Sequence, residues 1–122
     1  MRGKRKIIMN ILLILFIVLF FGSAVVQRKY MLGMYEEGIN RINNEDYWEA
    51  QEILEDLGDY KDSLRLIEAV QTLGRQKEIY DRAMGLFNDG DYRDAIVLFE
   101  QTGNYGKSKE YVGKANDILG IN

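Results

Sequence analysis

Nine residues recur at one fixed offset. Tyr35, Asn43, Asp46, Tyr47, Ala50, Glu55, Gly58, Tyr60 and Ser63 reappear as Tyr80, Asn88, Asp91, Tyr92, Ala95, Glu100, Gly103, Tyr105 and Ser108, each 45 positions later and with no gap. A register kept over so many positions marks two copies of one supersecondary unit. Such units bury their apolar faces by stacking on one another.

Each copy reads as a helical hairpin. The second helix of the unit has the clearest signals. Asp46 and Asp91 are N-cap candidates, followed three residues on by the acids Glu49 and Asp94, an arrangement close to a capping box. Tyr47, Ala50, Leu54 and Leu57 fall on one helical stripe, repeated by Tyr92, Ala95, Phe99 and Thr102. Gly58 and Gly103 stand just past the last turn, where a left-handed C-cap takes glycine. The first helices are expected from about Met31 to Asn43 and from about Gln76 to Asn88, with inner stripes Tyr35, Gly38, Ile42 and Tyr80, Ala83, Phe87. The polar segments NNED and NDGD are tight turns, so the helices of a pair should be antiparallel neighbours. Between the copies, Asp62 or Ser63 is expected to cap a further helix with Leu64, Ile67 and Val70 or Leu73 inward. Gly74 either ends that helix or lets it run on to Asn88, since the chain has no proline. A last helix from Ser108, with Tyr111, Ala115, Ile118 and Leu119 inward, would close the open end.

The run of a small residue, a large apolar one, then G-D-Y-x-x-A-x-x-x-F resembles the tetratricopeptide repeat. Ala83, Leu86, Gly90, Asp91, Tyr92, Ala95 and Phe99 carry it in the second copy, and Gly38, Asp46, Tyr47, Ala50 and Leu54 in the first. The segments LGDYKDS and TGNYGKS resemble a bacterial variant often found on membrane-anchored chains. The resemblance covers residues 31 to 119. The chain departs from the pattern in its period of 45 where 34 is usual, in its lack of proline, and in Arg41 where an apolar residue is the rule. What the resemblance implies is an all-α array of antiparallel hairpins that binds proteins or peptides. It implies a groove lined by Tyr35, Ile39, Asn43, Tyr80, Met84 and Asn88. Trp48, off the stripe and matched by Arg93 in the second copy, is a further partner-contact candidate on its own account.

Ahead of the repeats, residues 7 to 26 (IIMNILLILFIVLFFGSAVV) carry no charge. Twenty helical residues extend about 30 Å, the thickness of a bilayer core. The chain therefore divides into a basic head (1–6), a transmembrane signal-anchor (7–26) and a helical repeat body (27–122), with repeat one at about 31–63, repeat two at about 76–108 and a cap at 108–119. Arg2, Lys4, Arg5 and Lys6 before the span outweigh Arg28, Lys29 and Arg41 after it. The cationic bias puts the head in the cytoplasm and the body outside. The alternative is a signal peptide cut after Ala24 behind Gly22-Ser23-Ala24, releasing a secreted or cell-envelope structural protein.

Charge and chemistry narrow the function. All 19 acids lie beyond residue 29, against ten Lys and Arg there, so the body stands at −9. That field repels nucleic acid. The chain has no His and no Cys, which removes the commonest general base, the commonest nucleophilic thiol and the usual transition-metal ligands. Asp89, Asp91, Asp94 and Glu100 sketch a calcium loop, but Arg93 and Asp94 hold the fifth and sixth places where an oxygen ligand and glycine belong. Ser63 beside Lys61, and Ser108 between Lys107 and Lys109, look like serine–lysine pairs; helix capping explains them without catalysis. The expectation is a non-catalytic interaction module with no cofactor and no metal.

Overall fold

The computed structural model describes residues 2–121. Five α-helices make up the described chain: α1 (Arg2–Asn43), α2 (Tyr47–Leu57), α3 (Ser63–Asp89), α4 (Tyr92–Thr102) and α5 (Ser108–Leu119). The all-helical expectation holds. Extensive packing runs only between consecutive helices, α1 with α2, α2 with α3, α3 with α4 and α4 with α5.

Two of the helices are longer than the sequence divisions suggest. α1 has 42 residues, about 63 Å at 1.5 Å per residue, and no break separates its apolar run from the first copy. α3 passes through Gly74 for 27 residues. With no proline and no paired glycine nothing interrupts its hydrogen-bond ladder. Its first half closes copy one and its second half opens copy two.

Two small cores follow. In the first, Tyr47, Ala50, Leu54 and Leu57 of α2 and Val70 of α3 are buried, with Met31, Met34, Tyr35 and Ile42 of α1 packed on them. Gly38 is buried where α1 meets α2, and a Cβ there would stand in ordinary contact with Ile53 and Leu54 at 3.4–3.7 Å. In the second, Ala83, Ala95 and Phe99 are buried, with Tyr80, Met84, Phe87, Leu98 and Tyr111 around them. Tyr105, from the second copy, packs into the first core and joins the two.

Some inward assignments need correction. Leu64 is 61% exposed and Ile118 is 56% exposed. The buried stripes are Ser63, Val70 and Gly74 on α3 and Ser108 and Ala115 on α5. Leu64 lies one residue, about 100° of helix rotation, off its stripe.

The turns repeat the 45-residue offset in their backbone. Positive φ occurs at Glu45 and Gly90, at Gly58 and Gly103, and at Lys61 and Gly106. Tyr60 N–H donates to Leu57 O at 3.2 Å, and Tyr105 N–H to Thr102 O at 3.1 Å. Gly58 has φ 59°, ψ −124°, the first central position of a type II′ turn and not the left-handed helical region expected there. The chain needs that sharper reversal because the next helix starts five residues later. The capping expectation also changes. Asp46 and Asp91 stand at the N-cap position, yet neither makes a side-chain cap bond. The Asp46 carboxylate faces Arg41 at 3.4 Å instead. Ser63 and Ser108 are buried, and their hydroxyls donate backward to Tyr60 O (2.6 Å) and Tyr105 O (2.7 Å). They pin the preceding turn.

Candidate functional site

The residues singled out as partner-binding divide between core and surface. Tyr35 is half-buried. Its hydroxyl donates to Asp62 Oδ1 at 2.6 Å and its ring meets Tyr60 edge-on at 6.0 Å. That hydrogen bond raises the Tyr35 pKa, with burial adding to it, and it lowers that of Asp62, helped by Arg65 at 2.7 Å. Tyr80 packs edge-on against Phe99 and Tyr105, each at 5.6 Å. Met84 belongs to the second core and Ile39 is half-buried. Asn43 and Asn88 are exposed near the C-terminal ends of α1 and α3. The six are spread over α1 (Tyr35, Ile39, Asn43) and α3 (Tyr80, Met84, Asn88).

Trp48 lies in a groove of about 210 Å³ formed by the start of α2 and the middle of α3, with Glu45, Asp46, Tyr47, Glu49, Gly74, Lys77, Glu78 and Asp81 around it. Its indole rests on Gly74, where a Cβ would stand 3.1 Å from the ring. Its Nε1 donates to Glu78 Oε1 at 3.1 Å, and the side chain remains 43% exposed. Trp48 therefore both fastens α2 to α3 and shows an edge to solvent. Lys77 lies on the same rim. Its hydrogen bond to Asp81 at 2.8 Å raises its pKa, burial acts the other way, and Glu45 adds attraction.

The equivalent groove in copy two, about 320 Å³, is lined by Gly90, Asp91, Tyr92, Arg93, Asp94 and Leu119. These six are the 45-residue counterparts of Glu45, Asp46, Tyr47, Trp48, Glu49 and Gly74. By the same offset the counterparts of Lys77, Glu78 and Asp81 fall outside the described residues. Sequence reasoning missed this groove. The signal was the same offset carried past the turn, from Gly74 to Leu119. A third concavity, about 550 Å³, lies between Leu73 and Gln76 of α3 and the 100–106 turn.

Among the described residues two buried polar atoms lack hydrogen-bond partners, Gln51 Oε1 and the Tyr105 hydroxyl. Burial, above all, holds the Tyr105 proton far above the usual phenol range. Tyr47 is its polar neighbour, but the two hydroxyls fall short of hydrogen-bond geometry. Neither atom is aimed into a cleft with a nucleophile or a metal donor set. Among the described residues no group of three or more His, Cys, Asp or Glu is arranged to hold a metal ion. The acids Asp89, Asp91, Asp94 and Glu100 do not converge.

α1 is long and apolar enough to cross a membrane by length and composition. Its run is exposed on every side, with Phe16 67% and Leu19 71% accessible. No family model, curated protein or solved structure matches the chain.

Proposed function

We propose that the chain is a single-pass membrane protein. It displays a non-catalytic, tetratricopeptide-like interaction module at the outer face of the membrane, with its N-terminus in the cytoplasm. One observation carries the reading: the uncovered apolar run and the first core share one unbroken helix. Exposed apolar side chains over some 20 residues demand a nonpolar surrounding. Met31 and Met34 reach the first core within a few residues of the run, so the body is mounted on the span with no flexible joint. A rigid mount fixes the height and orientation of the module and raises its effective concentration toward a membrane-bound protein partner.

The module reading is supported by the hairpin stack and by the repetition of turn geometry at 45 residues. The absence of His and Cys from the sequence speaks against an enzyme. The acidic body speaks for a protein or peptide partner over nucleic acid.

Lysine 109 is exposed on α5 and the chain has no cysteine, so Lys109→Cys gives a unique label site. Intact cells are treated with a membrane-impermeant maleimide. A labelled, full-length band in the membrane fraction is expected. A labelled band shortened by the first 24 residues would instead mean release by cleavage after Ala24. Labelling only after lysis would reverse the orientation.

A further inference from the structure

We propose that the groove between the start of α2 and the middle of α3 is a recognition site for an arginine side chain on a basic segment of a partner protein. This rests on the reading of the body as an interaction module and names the chemistry of its partner. Five carboxylates line the groove, Glu45, Asp46, Glu49, Glu78 and Asp81, against the single ammonium of Lys77, so the lining carries −4. Lys77 is held by Asp81 at 2.8 Å, Glu78 accepts from Trp48 Nε1, and Asp46 faces Arg41 at 3.4 Å. Glu45 and Glu49 are exposed, and their carboxylates form no ion pair among the described residues.

The floor of the groove also lacks a partner. Tyr47 is only 8% exposed, and it lines the groove. Its hydroxyl makes no hydrogen bond among the described residues. The neighbouring Tyr105 hydroxyl falls short of hydrogen-bond geometry with it and is itself sealed without a partner. A polar group nine-tenths buried and left unpaired at the bottom of a negatively charged cleft is a place for a donor.

Shape and charge specify the occupant. A bare metal ion does not fit, since among the described residues no three acids are arranged to hold one. A guanidinium spreads its charge over a plane and presents five donors in a fixed fork, which suits carboxylates set around a rim. Its apolar stem lies along the exposed part of the Trp48 indole, keeping only the charged head among the acids. At about 210 Å³ the groove is smaller than the roughly 300–1,000 Å³ usual for small-molecule pockets, and it takes one side chain. It stands at the far end of α1, where Asn43 is about 26 Å along the helix from Val26, the last residue of the apolar run. That is well beyond a headgroup layer of about 5–8 Å. A lipid does not reach the groove and an anionic one is repelled by it, which leaves a protein segment.

The test uses the full chain in nonionic micelles, with Trp48, the sole tryptophan, as reporter at the site. The probes are three capped hexapeptides, alike except for a central pair of arginines, lysines or glutamates. The arginine peptide should shift Trp48 emission saturably below about 1 mM, the lysine peptide more weakly and the glutamate peptide not at all. Glu45→Gln and Glu49→Gln, at exposed positions, should each weaken the arginine peptide about two- to fivefold, the reach of a solvent-screened ion pair. Tyr47→Phe keeps the ring in the core and should weaken it about three- to tenfold, the worth of one hydrogen bond. Unchanged helix content by circular dichroism separates loss of the site from loss of the fold. No saturable shift below about 1 mM, an equal response to the lysine or glutamate peptide, or an affinity indifferent to all three substitutions overturns the proposal. So does a shift of Trp48 emission produced by anionic vesicles and not by the arginine peptide, because a lipid surface would then be the occupant. None of these outcomes alters the maleimide labelling pattern, so the groove and the membrane topology fail separately.

Discussion

The two copies share a backbone and differ in what holds it. Copy one buries the aliphatic side chains of Leu54, Leu57 and Val70 beside Tyr47. Copy two is aromatic: Phe99 stacks on Tyr111 at 5.4 Å, and Phe87 meets Tyr92 and Tyr111 edge-on at 5.1 and 5.0 Å. Leu57 corresponds to Thr102, which is equally buried but shares a hydrogen bond with Ser108 at 2.5 Å. Where copy two has Gly90 and Gly106 at positive φ, copy one has Glu45 and Lys61. The comparison teaches that this hairpin is specified by turn geometry and stripe position. The chemistry at each place is free to vary if burial and hydrogen bonding stay satisfied.

The most damaging way to break the comparison is at the matched core positions. Phe99→Ala should cost about 3–5 kcal/mol and Leu54→Ala about 2–5 kcal/mol, by lost transfer energy and residual cavity. Chemical denaturation of the full chain in micelles, followed by circular dichroism, measures both. Trp48, the sole tryptophan, reports copy one by fluorescence. If the copies are mechanically separate, Phe99→Ala should leave the Trp48 signal native at denaturant concentrations where helix content has begun to fall.

The turns should respond unequally. A Cβ at Gly106 would stand 3.1 Å from the Tyr80 ring, and φ there is +53°. Gly106→Ala should therefore destabilise by about 2 kcal/mol, clash and strain together. At the matching position copy one has Lys61, whose ammonium lies 4.7 Å over the Tyr35 ring. Lys61→Gly should change stability by no more than about 1 kcal/mol, because relief of the positive φ is offset by chain entropy and the lost cation–π contact. Equal losses at the two sites would refute the assignment of the Gly106→Ala loss to the Tyr80 ring and the positive φ.

Tyr105 sharpens the boundary between the cores. Tyr105→Phe removes a buried hydroxyl without a partner and should stabilise by about 1 kcal/mol. Its raised pKa carries a sign: a phenol held neutral by the fold contributes stability below its unfolded value near 10, and that contribution falls away as pH rises above 10 toward the higher folded value. Tyr105→Phe should flatten the alkaline decline seen in urea melts between about pH 10 and 11. Asp62 acts at the other end. Its lowered pKa gives stability present above the unfolded value near 3.8 and lost as pH falls through the lower folded value, so Asp62→Asn should flatten the acid limb. The smallest effect is expected at Gly74→Ala. A helix-propensity gain of about 1 kcal/mol opposes a tight Cβ beside Trp48, so stability should hardly move while the Trp48 emission shifts.

Much of this fold is legible in the text. Tyr47, Ala50, Leu54 and Leu57 form one buried face because residues at helical spacing share a side, whatever surrounds them. Gly58 and Gly103 had to be glycine for turns that need positive φ, although their type II′ geometry was not readable, since ψ depends on where the next helix must start. Leu64 and Ile118 misled because hydrophobicity names a residue that prefers burial, while helix phase decides which residue gets it. Asp46 looked like a cap and became a partner of Arg41, an outcome set by the relative placement of two helices. The groove of α4 and α5 did leave a trace in the sequence, the 45-residue offset from Gly74 to Leu119, but that trace has meaning only beside the groove that Gly74 lines.

By itself, the sequence determined the number of units, their 45-residue period, the helical class and the uncharged run of membrane length. All of these rest on local spacing and on the transfer preferences of single side chains. The tertiary structure alone decided that Trp48 rests on Gly74, that Gly38 lies against Ile53 and Leu54, and that Tyr105 crosses into the first core. Those are relations between elements far apart in the chain. They depend on which surfaces meet once each helix has formed, and no local pattern encodes that.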